Sequence, residues 1–166
     1  KDRGLFVYLE NNLDRILDKD KVCLEFIVTR CAGIKAQIVS LDEKEKKGLR
    51  TILNFGHTLG HAIEAAGNFR AYNHGEAIGL GMLAACDISR KLNLLKESDL
   101  KRIESLIKKS GLPLRIKGLS LGKIIGSYYH DKKFIGARNR FVLVYVIGRF
   151  KVKKNIPLEI IKEALN

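Results

Sequence analysis

The chain has 166 residues, of which 46% are hydrophobic and 30% charged; this balance suits one folded domain that buries roughly 70% of its unfolded surface, and it excludes wholesale disorder. No apolar run reaches the length of a membrane span and the opening KDRGLFVYLENN has no signal-peptide layout, so a cytoplasmic address is expected and a membrane partner is not. The net charge of +13 has one source, residues 101–154, where fifteen Lys and Arg face only Glu104 and Asp131; such a stretch attracts anions, but it carries no helix-turn-helix, zinc-finger or aromatic RNA-binding signature, so nucleic acid is not expected either.

In chain order the pattern predicts a mainly α, multihelical domain over residues 1–166 with one small β-hairpin near the C-terminus. Leu5, Leu9, Leu13 and Leu17 recur every fourth position and predict an amphipathic helix over 3–17. A second helix over 20–40 carries Val22, Phe26, Ile27, Ile34 and Ile38 as its stripe and opens on Asp20 as a cap. The mixed-charge run LDEKEKKG at 41–48 reads as an exposed loop. Helices near 50–66 and 75–92 follow, the latter so rich in small and apolar residues that it should be the buried central helix. Ser98 opens a further helix that closes at Gly111, with Pro113 just beyond. After a short helix near 120–129, two β-branched and aromatic runs flank Gly148-Arg149 as a tight hairpin with glycine first in the turn. Pro157 starts a closing helix over 157–165. Cys23, Cys31 and Cys86 are odd in number, lack C-x-x-C spacing and read as reduced core thiols.

The chemistry concentrates at 50–82. Three of the four histidines, His57, His61 and His74, fall within eighteen consecutive positions. On a helix His57 and His61 project from one face, and His74 lies beyond a loop at the mouth of the next helix. Neutral imidazoles suit zinc, cobalt or iron. Glu64 and Glu76 could each ligate or fix a histidine tautomer. A zinc protease would place a glutamate after the first histidine, where Thr58 stands, so that reading is set aside. Arg50, Asn54, His57 and His61 are spaced to share one helical stripe, apart from the apolar Ile52, Leu53 and Leu59.

The segments DEKEKKGLRTILNFGHTLGHAIEA and NHGEAIGLGM, with the later HDKK, resemble the C-terminal metal-binding domain of 3-dehydroquinate synthases. The resemblance implies that His57 and His74 are metal ligands, with zinc or cobalt as the usual ion, and that His61 assists proton transfer. It also implies that Lys35, Arg50, Asn54 and one of Lys132 and Lys133 line the substrate site. The implied reaction converts 3-deoxy-D-arabino-heptulosonate 7-phosphate to 3-dehydroquinate and phosphate, dependent on NAD and a divalent metal. The resemblance further implies an N-terminal NAD-binding domain as partner and a homodimer in the full-length protein. Two family features are not found in the chain: a glycine-rich nucleotide loop after a strand, and the glutamate ligand of an E-x-x-K segment expected upstream of Lys1. The isolated chain is therefore expected to hold two of three protein ligands and to be inactive alone, its start at Lys1 being imposed. DEKEKKGLR is also one residue longer than the family's spacing between the upstream lysine and the arginine. Alternatives are a related sugar-phosphate cyclase, a glycerol-type metal-dependent dehydrogenase that has no need of the cationic set, and a non-catalytic basic helical binding module.

Overall fold

The computed structural model describes residues 1–44, 48–130 and 139–166. Two long helices come first. α1 (Arg3–Leu17) is capped by Asp2, whose Oδ1 accepts from Leu5 N at 3.0 Å, and α2 (Lys21–Leu41) by Asp20, whose Oδ1 accepts from Cys23 N at 2.9 Å. The two pack as a hairpin, with the Tyr8 and Phe26 rings 4.1 Å apart. The apolar stripe expected on α2 is only partly covered, because Val22 and Phe26 stay exposed at 69% and 43% while Ile38 is buried. The physical reason is a shortage of neighbours, since among the described elements α2 meets chiefly α1 and the turn that follows it.

The helix expected over 50–66 is two elements. A 3-10 turn, Leu49–Asn54, is followed by a break at Phe55 and Gly56, and α3 (His57–Ala66) begins afresh at the first histidine. Gly56 takes φ +79°, a left-handed conformation that ends the turn and reorients the chain. Arg50 and Asn54 therefore do not continue the α3 face as a helical stripe. Asn73 then caps α4 (His74–Lys91) in a reciprocal box with Glu76.

α4 is the central helix, as its composition predicts. It packs against α3, α5 (Glu97–Lys109), α7 (Leu158–Ala164) and β1 (Arg140–Val146). α3 lies close enough that a Cβ at Gly81 would collide with the Gly56 carbonyl oxygen, and one at Gly60 would sit 2.6 Å from Ile78 Cδ1. Leu59, Ile63, Leu80, Ala84 and Ile88 form the middle of the core, closed by Ile124 and Tyr128 of α6 (Leu121–His130) and by Phe141 and Leu143 of β1.

Other boundaries differ from expectation by a residue or two. α5 starts at Glu97 behind Lys96, so Ser98 lies inside its first turn. Pro157 is the residue before α7. In the hairpin, β1 pairs antiparallel with β2 (Arg149–Lys154), and the turn is Ile147-Gly148 with glycine second, at φ +88°. A bulge between Val144 and Val146 shifts the register by one and accounts for the moved turn. Of the three thiols, Cys23 and Cys86 are buried as expected, but Cys31 is exposed on the uncovered side of α2. Among the described residues no helix is long and apolar enough to cross a membrane.

Candidate active site

The glycine seam between α3 and α4 brings the three histidines together. Their ring centres lie 5.3 Å (His57–His61), 5.7 Å (His57–His74) and 6.1 Å (His61–His74) apart. Two imidazoles bound tetrahedrally to one ion at about 2.0 Å from each nitrogen have their ring centres roughly 5 Å apart. Every pair is within reach of that spacing, so distance alone does not select the ligands.

The Nδ1 partners say more. His57 Nδ1 faces the Phe55 carbonyl oxygen at 3.2 Å, and His74 Nδ1 faces Glu64 Oε1 at 3.0 Å. A carbonyl and a carboxylate only accept, so each neutral ring carries its proton on Nδ1 and keeps its lone pair on Nε2, the atom that remains for a ligand. Glu64 is largely buried, with 11% of its side chain exposed, whereas His74 is 61% exposed. The carboxylate thus sits behind the ring, which opens outward. Glu76 is engaged elsewhere. Its Oε2 accepts from Asn73 N at 2.9 Å while Asn73 Oδ1 accepts from Glu76 N, so it closes the cap of α4. A second donor set is also compact, with ligand atoms of His61, Glu64 and His74 all within 4.8 Å of one another.

Arg50 and Asn54 do not share the α3 face, but they do share a cavity. Together with Asp42, Gly48, Thr51, Leu53 and Arg140 they line a space of about 240 Å³ next to the start of α3. Asp42 is buried and its Oδ2 accepts from Leu49 N at 2.7 Å and Arg50 N at 3.4 Å, fixing the 3-10 turn. The Arg50 Nη1 donates to the Glu43 carbonyl at 3.4 Å. Lys35 stands exposed on α2 and is not part of this cavity. Lys132 and Lys133 lie outside the described residues. Arg140 went unnoticed in the sequence because it opens a strand after a run of basic residues, where nothing in the local pattern separates a cavity-lining arginine from a solvated one.

Comparison with known proteins points the same way. The fold superposes with a TM-score of 0.86 on the 2-epi-5-epi-valiolone synthase ValA of Streptomyces hygroscopicus, solved with NAD+ and Zn2+ bound, at 20% identity over 99% of this chain and 46% of that one. A 2-deoxy-scyllo-inosose synthase, complexed with carbaglucose-6-phosphate, NAD+ and Co2+, gives a TM-score of 0.72 and 31% identity over 86% of this chain and 41% of that one. The fold is that of a mainly helical domain of the dehydroquinate synthase-like proteins. Residues 1–134 match the family model for the 3-dehydroquinate synthase C-terminal domain, and the chain belongs to that family. Among its relatives, the 3-dehydroquinate synthase of Acidithiobacillus ferrooxidans is 41% identical over 99% of the chain, and that of a Thermoanaerobacter species 45% identical over 97%. The chain spans less than half of the length of these relatives, 45% in each case.

Proposed function

We propose that this domain holds a divalent ion through Nε2 of His57 and Nε2 of His74, and binds the anionic sugar phosphate that 3-dehydroquinate synthases cyclise. The observation that carries the reading is the pair of Nδ1 contacts, to the Phe55 carbonyl and the Glu64 carboxylate, which leave both rings in the ligating tautomer. The donor set is neutral imidazole, which suits zinc or cobalt, and the Co2+-containing cyclase at 31% identity supports the choice. In the reaction as proposed, 3-deoxy-D-arabino-heptulosonate 7-phosphate loses phosphate and closes to 3-dehydroquinate, the bound ion supplying a Lewis acid for a substrate oxygen and NAD a transient hydride acceptor.

The chain's own residues have separate roles. Glu64 orients His74 and fixes its tautomer, while the Phe55 carbonyl does the same for His57. In this reading His61, 5.3 Å from His57 between ring centres, takes or returns a proton at a substrate hydroxyl near the ion. Arg50 supplies a planar, permanently charged fork for an oxyanion and Asn54 an amide beside it. Lys35 and one of Lys132 and Lys133 complete the cationic set in this reading. Among the described residues the strands form an antiparallel hairpin, which offers no glycine-rich strand-to-helix phosphate loop. The 166 residues alone are therefore proposed to bind metal without turning over substrate.

A Co2+ titration followed by visible absorption tests the ligand assignment. His57→Ala and His74→Ala should each abolish the tight site, and His61→Ala should leave it. The compact His61, Glu64 and His74 cluster is the competing arrangement; loss of the site in His61→Ala with retention in His57→Ala would establish it instead. A turnover assay with the heptulosonate phosphate, run against glucose 6-phosphate and glycerol in the presence of an NAD-binding half from a family member, separates the three chemistries.

A further inference from the structure

We propose that Arg140 is an anion-positioning residue of this site, forming with Arg50 and Asn54 a two-guanidinium cradle for one oxyanion of the substrate, either its phosphate or its carboxylate. The inference rests on the substrate-site reading above and adds a residue that the family resemblance does not supply.

Arg140 is held as a rigid presenter. Its neighbour Asn139 is clamped to the far end of the hairpin, donating from Nδ2 to the Ile156 carbonyl at 2.7 Å and accepting at Oδ1 from Ile156 N at 2.6 Å. The Arg140 carbonyl accepts from Thr58 Oγ1 at 3.4 Å, which ties the first residue of β1 to the first turn of α3, one position from His57. Its guanidinium lies over Gly48, where an added Cβ would come within 3.1 Å of Nη2, and Gly48 is left-handed at φ +69°. Any other residue at position 48 would be strained and would crowd the guanidinium.

The charge arrangement favours an added anion. Arg140 sits opposite Lys154 in the hairpin register, and like charges directly opposed across strands are destabilising. It also lines the same cavity as Arg50. Among the described residues no ion pair involves Arg140 and Asp42 is the one carboxylate lining the cavity, its Oδ2 accepting from the backbone amides of the 3-10 turn. At about 240 Å³ the space is below the range of roughly 300–1,000 Å³ that encloses a whole drug-sized ligand. It suits one charged end of a substrate whose body extends toward the histidines. Bidentate forks are the arginine geometry for phosphate and carboxylate alike.

Inorganic phosphate and acetate, titrated separately into the isotope-labelled chain at constant ionic strength, test the cradle by NMR at the Gly48 and Thr51 amides and Arg140 Nε. Saturable shifts are expected in the wild type, and Arg140→Gln should weaken the preferred anion at least tenfold without lowering the melting temperature, since it relieves the repulsion with Lys154. Preference for phosphate assigns the cradle to the phosphate end of the substrate, and preference for acetate to the carboxylate. Arg140→Lys keeps the charge and loses the fork, so it should bind several-fold more weakly than wild type; it carries the test if Arg140→Gln does not fold. Binding in both variants equal to wild type, or no saturable shift at Gly48 in the wild type, overturns the proposal. The Co2+ titration is independent of these readouts. Loss of the His57 and His74 assignment there would remove the metal reading and leave the anion result standing.

Discussion

α2 and α4 show how little composition says about what a helix packs against. α2 is the more apolar, with thirteen Ala, Val, Ile, Leu, Phe and Cys residues among twenty-one, against nine apolar residues among eighteen in α4. Yet α2 buries two residues, Cys23 and Ile38, and α4 buries ten. The difference lies in the glycines. Gly81 of α4 meets Gly56 and Gly60 of the α3 segment at backbone contact, so α3 docks against α4 while α5, α7 and β1 cover its other sides. The lone glycine of α2, Gly33, has nothing near its missing Cβ. The site follows the seam: the histidines converge because two backbones approach closely, and the long apolar hairpin of α1 and α2 carries only Lys35 of the expected site residues.

The largest predicted effect is at that seam. Gly81→Ala puts a methyl group into the Gly56 carbonyl, which neither backbone can evade without separating the helices. The cost should reach or exceed the roughly 1–3 kcal/mol typical of overpacking, read by denaturant unfolding. The same variant should lose Co2+ affinity, because α3 carries His57 and His61 away from His74. Gly33→Ala on α2, with open space around it, should stabilise slightly or leave stability unchanged. Equal destabilisation of both variants would show that the seam is not the organising contact.

Next in size is Glu64→Gln. The amide can still accept from His74 Nδ1 but without charge, so the ring is held less firmly in its orientation. Outer-shell changes of this type cost about 10- to 100-fold in metal affinity. Unaltered Co2+ affinity would mean that Glu64 only fills space behind the ring, and a complete loss would favour Glu64 as a direct ligand.

The sequence made the helices and the histidine trio legible for one reason: both depend on short-range spacing. Asp20 as a cap, the buried character of 75–92 and the pairing of His57 with His61 follow from local pattern. What escaped notice depends on approach between distant segments. Gly56 falls inside the one helix expected over 50–66, and its left-handed φ of +79°, with Met82 and Ile78 packed where a Cβ would stand, makes it a break instead. Glu76, two positions after His74, looked as available as Glu64, but its reciprocal bonds with Asn73 spend it on the cap. Arg140 joins Arg50 from 90 positions away, across a turn of the fold that no pattern in either segment announces.

Exposure on α2 predicts smaller effects. Val22→Ser and Phe26→Ser should alter stability by less than buried-core changes do; Val22, at 69% exposure, should fall within about 0.5 kcal/mol. Phe26 should cost somewhat more because its ring rests on Tyr8. The thiols give a sharper contrast between the two helices. Cys31 of α2 should react with a disulfide reagent at neutral pH in the folded protein. Cys86 of α4 should not, since burial pushes its thiol up to about 12 and Glu104 and Asp87 add to the shift. Labelling of Cys86 at the rate of Cys31 would show that α4 is not enclosed.

The smallest effect concerns how each helix begins. In α4 the first-turn N–H of Glu76 is capped by the Asn73 amide oxygen, which does not titrate, while the Glu76 carboxylate accepts from Asn73 N; in α2 the first-turn N–H is capped by the carboxylate of Asp20 itself. The Cys23 backbone N–H, and then the Arg15 guanidinium at 2.9 Å, hold the Asp20 carboxyl below its ordinary 3.8, at about 2. Because the folded state binds this proton less tightly than the unfolded chain, the contribution to stability is complete above about pH 4 and is lost as the pH falls toward 2. Acid should therefore loosen the first turn of α2 before the interior of α4, visible as an earlier drop in amide protection at residues 23–25. Asp20→Asn keeps an accepting oxygen and removes the titration, so its stability relative to wild type should improve as the pH is lowered through this window. Parallel pH profiles for the two proteins would mean that Asp20 serves the helix as an oxygen and not as a charge.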